Sequence, residues 1–139
     1  MRLVLDTNVV VAGLLWRGTP RTLMELAFDD AVMFYSSQAL VDELRNTLAY
    51  RKFTARIERY QTSADALTAQ YAALVSLVTP AAITPTVLRD PDDDAVLACA
   101  LAARADLVVS GDADLLVLKQ FQDMRIVTAA QAVRSITTA

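Results

Sequence analysis

Short apolar runs alternate along the chain with longer stretches whose apolar residues recur at helical spacing. Leu3-Val4-Leu5, Val32-Met33-Phe34-Tyr35, Leu107-Val108-Val109 and Arg125-Ile126-Val127 read as strands. Thr7 or Asn8 is positioned to cap a helix that runs to about Leu15. Gly18-Thr19-Pro20 breaks the chain and starts a second helix, ending near Phe28. Ser36 or Ser37 caps a third, in which Leu40, Leu44 and Leu48 form an apolar row. Asp65 to Leu77 reads as one long helix, with Val78-Thr79 as a short strand before Pro80 and a loop to Arg89. Asp90-Pro91-Asp92-Asp93-Asp94 enters a helix reaching about Ala103. A helical turn at Asp114–Leu118 follows the Leu107 strand, and Thr128-Ala129-Ala130-Gln131 is a capping box that opens a last helix. Strands alternating with helices predict an α/β fold whose parallel sheet is covered on both faces.

Composition narrows this picture. A length of 139 residues fits one domain, 1–139, and 55% hydrophobic residues suffice for a core. Charges break every apolar stretch before the ~18 residues that a membrane span needs, so no membrane partner is expected. Met1-Arg2 leads straight into a strand with no cleavage-site pattern, which predicts no signal peptide. The single cysteine, Cys99, fits a reducing cytoplasm, the expected location. It lies in the small-residue helix Leu97-Ala98-Cys99-Ala100-Leu101 and reads as core packing, since the chain has no histidine to activate a thiol.

The net charge of −3 argues weakly against nucleic acid, but the distribution says more than the sum. Arg45, Arg51, Lys52, Arg56 and Arg59 cluster within a short segment. That run is either a solvated helical face or a phosphate-binding edge, with Arg51, Lys52 and Arg56 as the nucleic-acid candidates.

Candidate chemistry lies in the acids. Asp6 stands where the first strand ends, the place where open α/β sheets form their ligand sites. Asn8, two residues on, supplies an amide to orient a carboxylate or a water. Glu43 flanks the leucine row of its helix and, of the neighbouring pair with Asp42, is the one on the leucine side. Of the acidic run, Asp94 is the residue followed by Leu97, Ala98 and Leu101 at i+3, i+4 and i+7, which places it on a core-facing stripe. Its neighbours would favour a helix N-terminus. Ser110-Gly111-Asp112-Ala113-Asp114 ends a buried strand; Asp112 would point at the same crevice as Asp6. Ser110 would position a carboxylate, a water or a phosphate, and Asp114 would support the site or cap the next helix. Converging carboxylates without histidine suit one or two hard cations, Mg²⁺ or Mn²⁺, rather than zinc. Such ions supply hydroxide near neutral pH and stabilise charge on a phosphate during in-line displacement.

Leu5-Asp6-Thr7-Asn8, Glu43, the Asp90–Ala100 segment and Ser110-Gly111-Asp112-Ala113-Asp114-Leu115-Leu116 together resemble a PIN domain (PilT N-terminus-like), over nearly the whole chain. The chain looks most like the small prokaryotic toxins of toxin–antitoxin systems related to VapC. The resemblance implies a three-layer α/β/α sandwich with a central, mainly parallel sheet. It implies Mg²⁺- or Mn²⁺-dependent endonucleolytic cleavage of RNA, with Asp6, Glu43, Asp94 and Asp112 as core acids. Asn8, Ser110 and Asp114 would assist, Asp114 among the metal ligands. Such proteins often form homodimers and are silenced by a small cognate antitoxin. Ser110 stands where many relatives have Thr, which keeps the hydroxyl.

Other readings lead to different chemistry. A housekeeping or DNA-directed nuclease on the same fold shares every residue named above. An aspartyl-phosphate phosphatase would need an acid where Asn8 stands. A non-catalytic metal-binding domain would use the same ligands without turnover.

Overall fold

A computed structural model describes residues 1–29, 32–86 and 91–138 of the chain. The first half contains β1 (Arg2–Leu5), α1 (Thr7–Leu15), α2 (Thr19–Glu25), β2 (Met33–Ser36), α3 (Gln38–Leu48), α4 (Thr54–Arg59), α5 (Ala64–Leu74) and β3 (Val75–Leu77). The second contains α6 (Pro91–Ala103), β4 (Leu107–Val109), α7 (Ala113–Leu116), β5 (Gln120–Phe121), β6 (Met124–Val127) and α8 (Ala129–Thr137). Short 3-10 turns at Leu26–Phe28 and Arg51–Phe53 complete the described elements.

The strands form one six-stranded sheet in the order β3-β2-β1-β4-β6-β5. All pairings are parallel except the β5–β6 hairpin. Side chains alternate across the sheet, as the pleat requires. Leu3, Leu5, Leu107 and Val109 enter one core with α1, α2, α3, α5 and α8. Val4 and Val108 enter the other, with α6 and Leu115 of α7. The result is the expected α/β/α sandwich.

The order of connection matters for the site. From β1 the chain moves outward to β2 and β3, then returns to the other side of β1 as β4. The carboxyl ends of β1 and β4 therefore flank a topological switch point, where neighbouring connections diverge and leave a crevice.

Several boundaries differ from the sequence reading. The long helix stops at Leu74, and Val75–Leu77 forms the edge strand in place of Val78-Thr79. Pairing of Val75 with Phe34 and of Leu77 with Ser36 outweighs the modest helix propensity of that segment. Asp6, not Thr7 or Asn8, caps α1, because its Oδ1 accepts from Thr7 N at 2.8 Å. Of the two expected candidates, Ser37 caps α3 by accepting from Leu40 N. The helix from Thr19 ends at Glu25 and tightens into the 3-10 turn. The strand Gln120–Phe121 is two residues long, too short for a period to show in the sequence. Asp90 lies outside the described residues.

Gly13 sits inside α1, where glycine costs about 1 kcal/mol relative to alanine. Its lack of a side chain lets α2 approach: a Cβ there would collide with the Met24 side chain and press on the Pro20 carbonyl. No helix among the described residues is long and apolar enough to cross a membrane.

Candidate metal centre

Three backbone elements deliver carboxylates to the switch-point crevice. β1 ends at Asp6, whose backbone N–H continues the sheet by donating to Val109 O at 2.9 Å. The side chain is buried, with Oδ1 held by Thr7 N and Oδ2 accepting from the Ser110 hydroxyl at 2.8 Å. Ser110, completely buried just after β4, is fixed by its own N–H to Val127 O. Its Oγ also accepts from Asp112 N at 2.9 Å. Asp112 then caps α7 through Oδ1 and Asp114 N, at 2.8 Å. One serine hydroxyl thus ties the β1 acid to the turn that carries the β4 acid.

The third carboxylate comes from α6. Asp6, Asp93 and Asp112 each place an oxygen within 4.8 Å of the others. Asp93 is buried, at 3% exposure. The sequence argument pointed to Asp94, which lies outside this group of three. Both Asp94 oxygens accept from Thr86 N at 3.2 Å, pinning the loop ahead of α6. The helix phase explains the difference. The stripe buried most completely contains Val96, Leu97 and Ala100, at i+3, i+4 and i+7 from Asp93, whereas Leu101, at i+7 from Asp94, stays partly exposed. Leu97 belongs to both stripes, and Ala100 rather than Leu101 completes the more buried one.

The remaining candidates fall outside this group of three. Glu43 is half-buried on α3, and Asp114 is half-buried in the first turn of α7. Asn8 is exposed on the first turn of α1. Ser110 holds the Asp6 carboxylate. The basic candidates lie elsewhere. Arg56 Nε donates to Leu15 O at 2.6 Å, at the end of α1 remote from its Asp6 cap. Arg51 and Lys52 are exposed in the neighbouring 3-10 turn, and Arg45 of the same basic run pairs with Asp65 at 3.1 Å.

The donor set suits a hard divalent cation. Oxygens on opposite sides of an octahedral Mg²⁺ are about 4.2 Å apart and adjacent ones about 3 Å, so carboxylates within 4.8 Å need close by little. The donors are all oxygens, and histidine is absent from the chain. Gathering three negative charges in a partly buried crevice is costly without a cation to offset their repulsion.

A family model described as PIN domain matches residues 2–114, which include all three of these acids. The chain belongs to the PIN domain family. An uncharacterized protein of Methanocaldococcus jannaschii, MJ1680, is 24% identical over 122 residues, covering 86% of this chain and 76% of its own length. PIN domains are generally metal-dependent nucleases, hydrolases of nucleic acid. The cluster of Asp6, Asp93 and Asp112 could hold such a metal.

Proposed function

We propose that this PIN domain is a metal-dependent endoribonuclease and the toxin of a toxin–antitoxin pair. The observation that carries the nuclease part is the Asp6–Asp93–Asp112 group at the switch point between β1 and β4. These three residues would hold one or two Mg²⁺ or Mn²⁺ ions. Such an ion, when bound, supplies Lewis acidity to a water and to the phosphate oxygens of the strand being cut. The protein's own contribution is positional. Ser110 directs Asp6 Oδ2, and the α7 cap directs Asp112, so neither carboxylate has to be ordered when substrate arrives. Glu43 and Asp114, half-buried beside the site's elements, and exposed Asn8 serve the surrounding water and substrate.

A toxin needs a silencing partner. A cavity of about 620 Å³ between α1, α2 and α5, lined by Leu14, Met24, Leu67 and Leu74 with Arg21 and Glu25 on its wall, offers such a partner a surface. A homodimer belongs to the same reading, and analytical ultracentrifugation of the purified chain tests it.

The deciding assay is cleavage of labelled RNA and DNA with Mg²⁺, Mn²⁺ or EDTA. Asp93→Asn should lower RNA cleavage by about a hundredfold or more, the loss of several kcal/mol of charge stabilisation. Asp94→Asn, outside the group, should stay within about tenfold of the parent. Equal loss in both variants would refute the helix-phase assignment. Preferential cleavage of DNA would refute the ribonuclease reading, and cleavage without arrest of cell growth on expression would refute the toxin role.

A further inference from the structure

The basic run that the acid site leaves unused folds into a mixed cationic and aromatic surface. The Arg56 guanidinium lies over the Trp16 ring at 4.6 Å and near the Tyr60 ring at 5.6 Å. Its Nε and the Tyr60 hydroxyl both donate to Leu15 O, at 2.6 and 3.1 Å, and its Nη2 donates to the Tyr60 hydroxyl at 3.3 Å. Phe53 meets the Trp16 ring edge-on at 6.0 Å, and Lys52 Nζ lies 5.1 Å over Phe53. Arg56 is therefore a scaffold, held in place by a carbonyl and two rings. Its fixed charge cannot swing away, and the rings it fixes remain open to solvent, Trp16 at 39% and Tyr60 at 45% exposure. Exposed Arg17, Arg51, Lys52 and Arg59 border them.

Exposed aromatics gathered in one patch with a polar rim mark an interaction site. Here the rim is strongly cationic, so the partner should be anionic. Rings that offer π-faces among cations match an unpaired nucleic-acid strand, whose bases stack while its phosphates meet the charges. The location agrees. Trp16 caps the end of α1 opposite Asp6, and the ten residue steps between them span about 15 Å. That is at least four or five nucleotides of a stacked strand, since most of α1 is buried and the strand must pass around it.

We propose that Trp16, Tyr60, Arg51 and Lys52, organised by Arg56, form a second contact for the single-stranded RNA whose cleaved bond lies at the acid cluster. This rests on the ribonuclease reading for its substrate, and it assigns recognition of unpaired flanking nucleotides to the far end of α1. Chains too short to bridge both places, and duplexes whose base faces are hidden, should bind more weakly.

Trp16 is the chain's single tryptophan, so its emission reports on this surface alone. The experiment titrates an unpaired RNA of about twelve nucleotides, well beyond the bridging length, into the Asp6→Asn protein in EDTA. Emission and the anisotropy of end-labelled RNA are read together. Quenching should saturate with the anisotropy. Trp16→Ala should weaken binding about tenfold, the order of one lost base stack, while Trp16→Phe, which keeps a ring for the Arg56 scaffold, should lose less. Arg51→Glu with Lys52→Glu should lower the salt slope by about two. Full binding with unchanged emission, wild-type affinity in Trp16→Ala, or no RNA binding at all would overturn the proposal. Equal quenching by polyglutamate would also overturn it, in favour of an acidic protein surface. Metal-dependent cleavage by the unmodified protein is measured separately. Quenching without cleavage would sink the nuclease reading and leave the RNA surface standing; cleavage without quenching would do the reverse.

Discussion

Removing the hydroxyl of Ser110 should be the most damaging single-atom change near the site. Ser110 is completely buried, and its Oγ makes two short hydrogen bonds, to Asp6 Oδ2 at 2.8 Å and from Asp112 N at 2.9 Å. The first is to a carboxylate, and such bonds contribute about 1.5–3 kcal/mol. The second leaves a partly buried N–H without that acceptor, which costs about 1 kcal/mol or more. Local collapse cannot repair the loss, because Ser110 N is held by Val127 O and Asp6 N by Val109 O. Ser110→Ala should therefore destabilise the fold by about 2–4 kcal/mol, with little cavity contribution from one missing oxygen. The midpoint of urea unfolding should fall accordingly with unchanged m, and Tm should drop by about 8–15 °C. Ser110→Thr restores the hydroxyl and should recover most of the loss, apart from fitting one methyl into a packed site. A Ser110→Ala protein within about 0.5 kcal/mol of the parent would refute the reasoning, since neutral surface changes have that size. Isothermal titration with Mn²⁺ adds a functional readout: a displaced Asp6 should weaken metal binding about 10–100-fold, as lost partners of metal ligands do.

Tyr71→Phe should act in the opposite direction. The Tyr71 side chain is buried and its Oη has no hydrogen-bond partner among the described residues, so deleting it should stabilise the fold by about 1 kcal/mol in urea unfolding. Destabilisation by a similar amount would mean that the hydroxyl is satisfied after all. A further expectation concerns alkaline pH. Burial pushes the Cys99 thiol up to about 11, with the Ser37 hydroxyl partly opposing the rise. Burial raises Tyr71 as well, with nearby Cys99 adding to the effect. Both groups stay neutral in the fold and ionise more readily in the unfolded chain. The Cys99 contribution is thus complete below about pH 9 and lost as pH climbs toward 11, whereas that of Tyr71 is lost only at higher pH, so Cys99→Ala should flatten the first part of the decline in thermal melts.

The alternation of apolar strands and amphipathic helices was sufficient to determine the layered fold. A strand buried on both faces must be apolar at every position, as Leu3-Val4-Leu5 and Leu107-Val108-Val109 are. The same logic located Asp6, Ser110 and Asp112, because a polar residue directly after a buried strand has to emerge at the sheet's carboxyl edge. Three matters lay beyond local pattern. Adjacent residues on a helix differ in direction by about 100°, and only docking of α6 on the sheet decided that Asp93 joins the acids while Asp94 holds a loop. The β3 edge strand exists because β2 offers it a ladder, which its own weak helical tendency could not foretell. The basic run was visible as composition, but its distance from the acids was not. Sequence separation says nothing of which end of a helix two segments share, and only the packing of α4 against the last turn of α1 brought Arg56 to Trp16, away from Asp6.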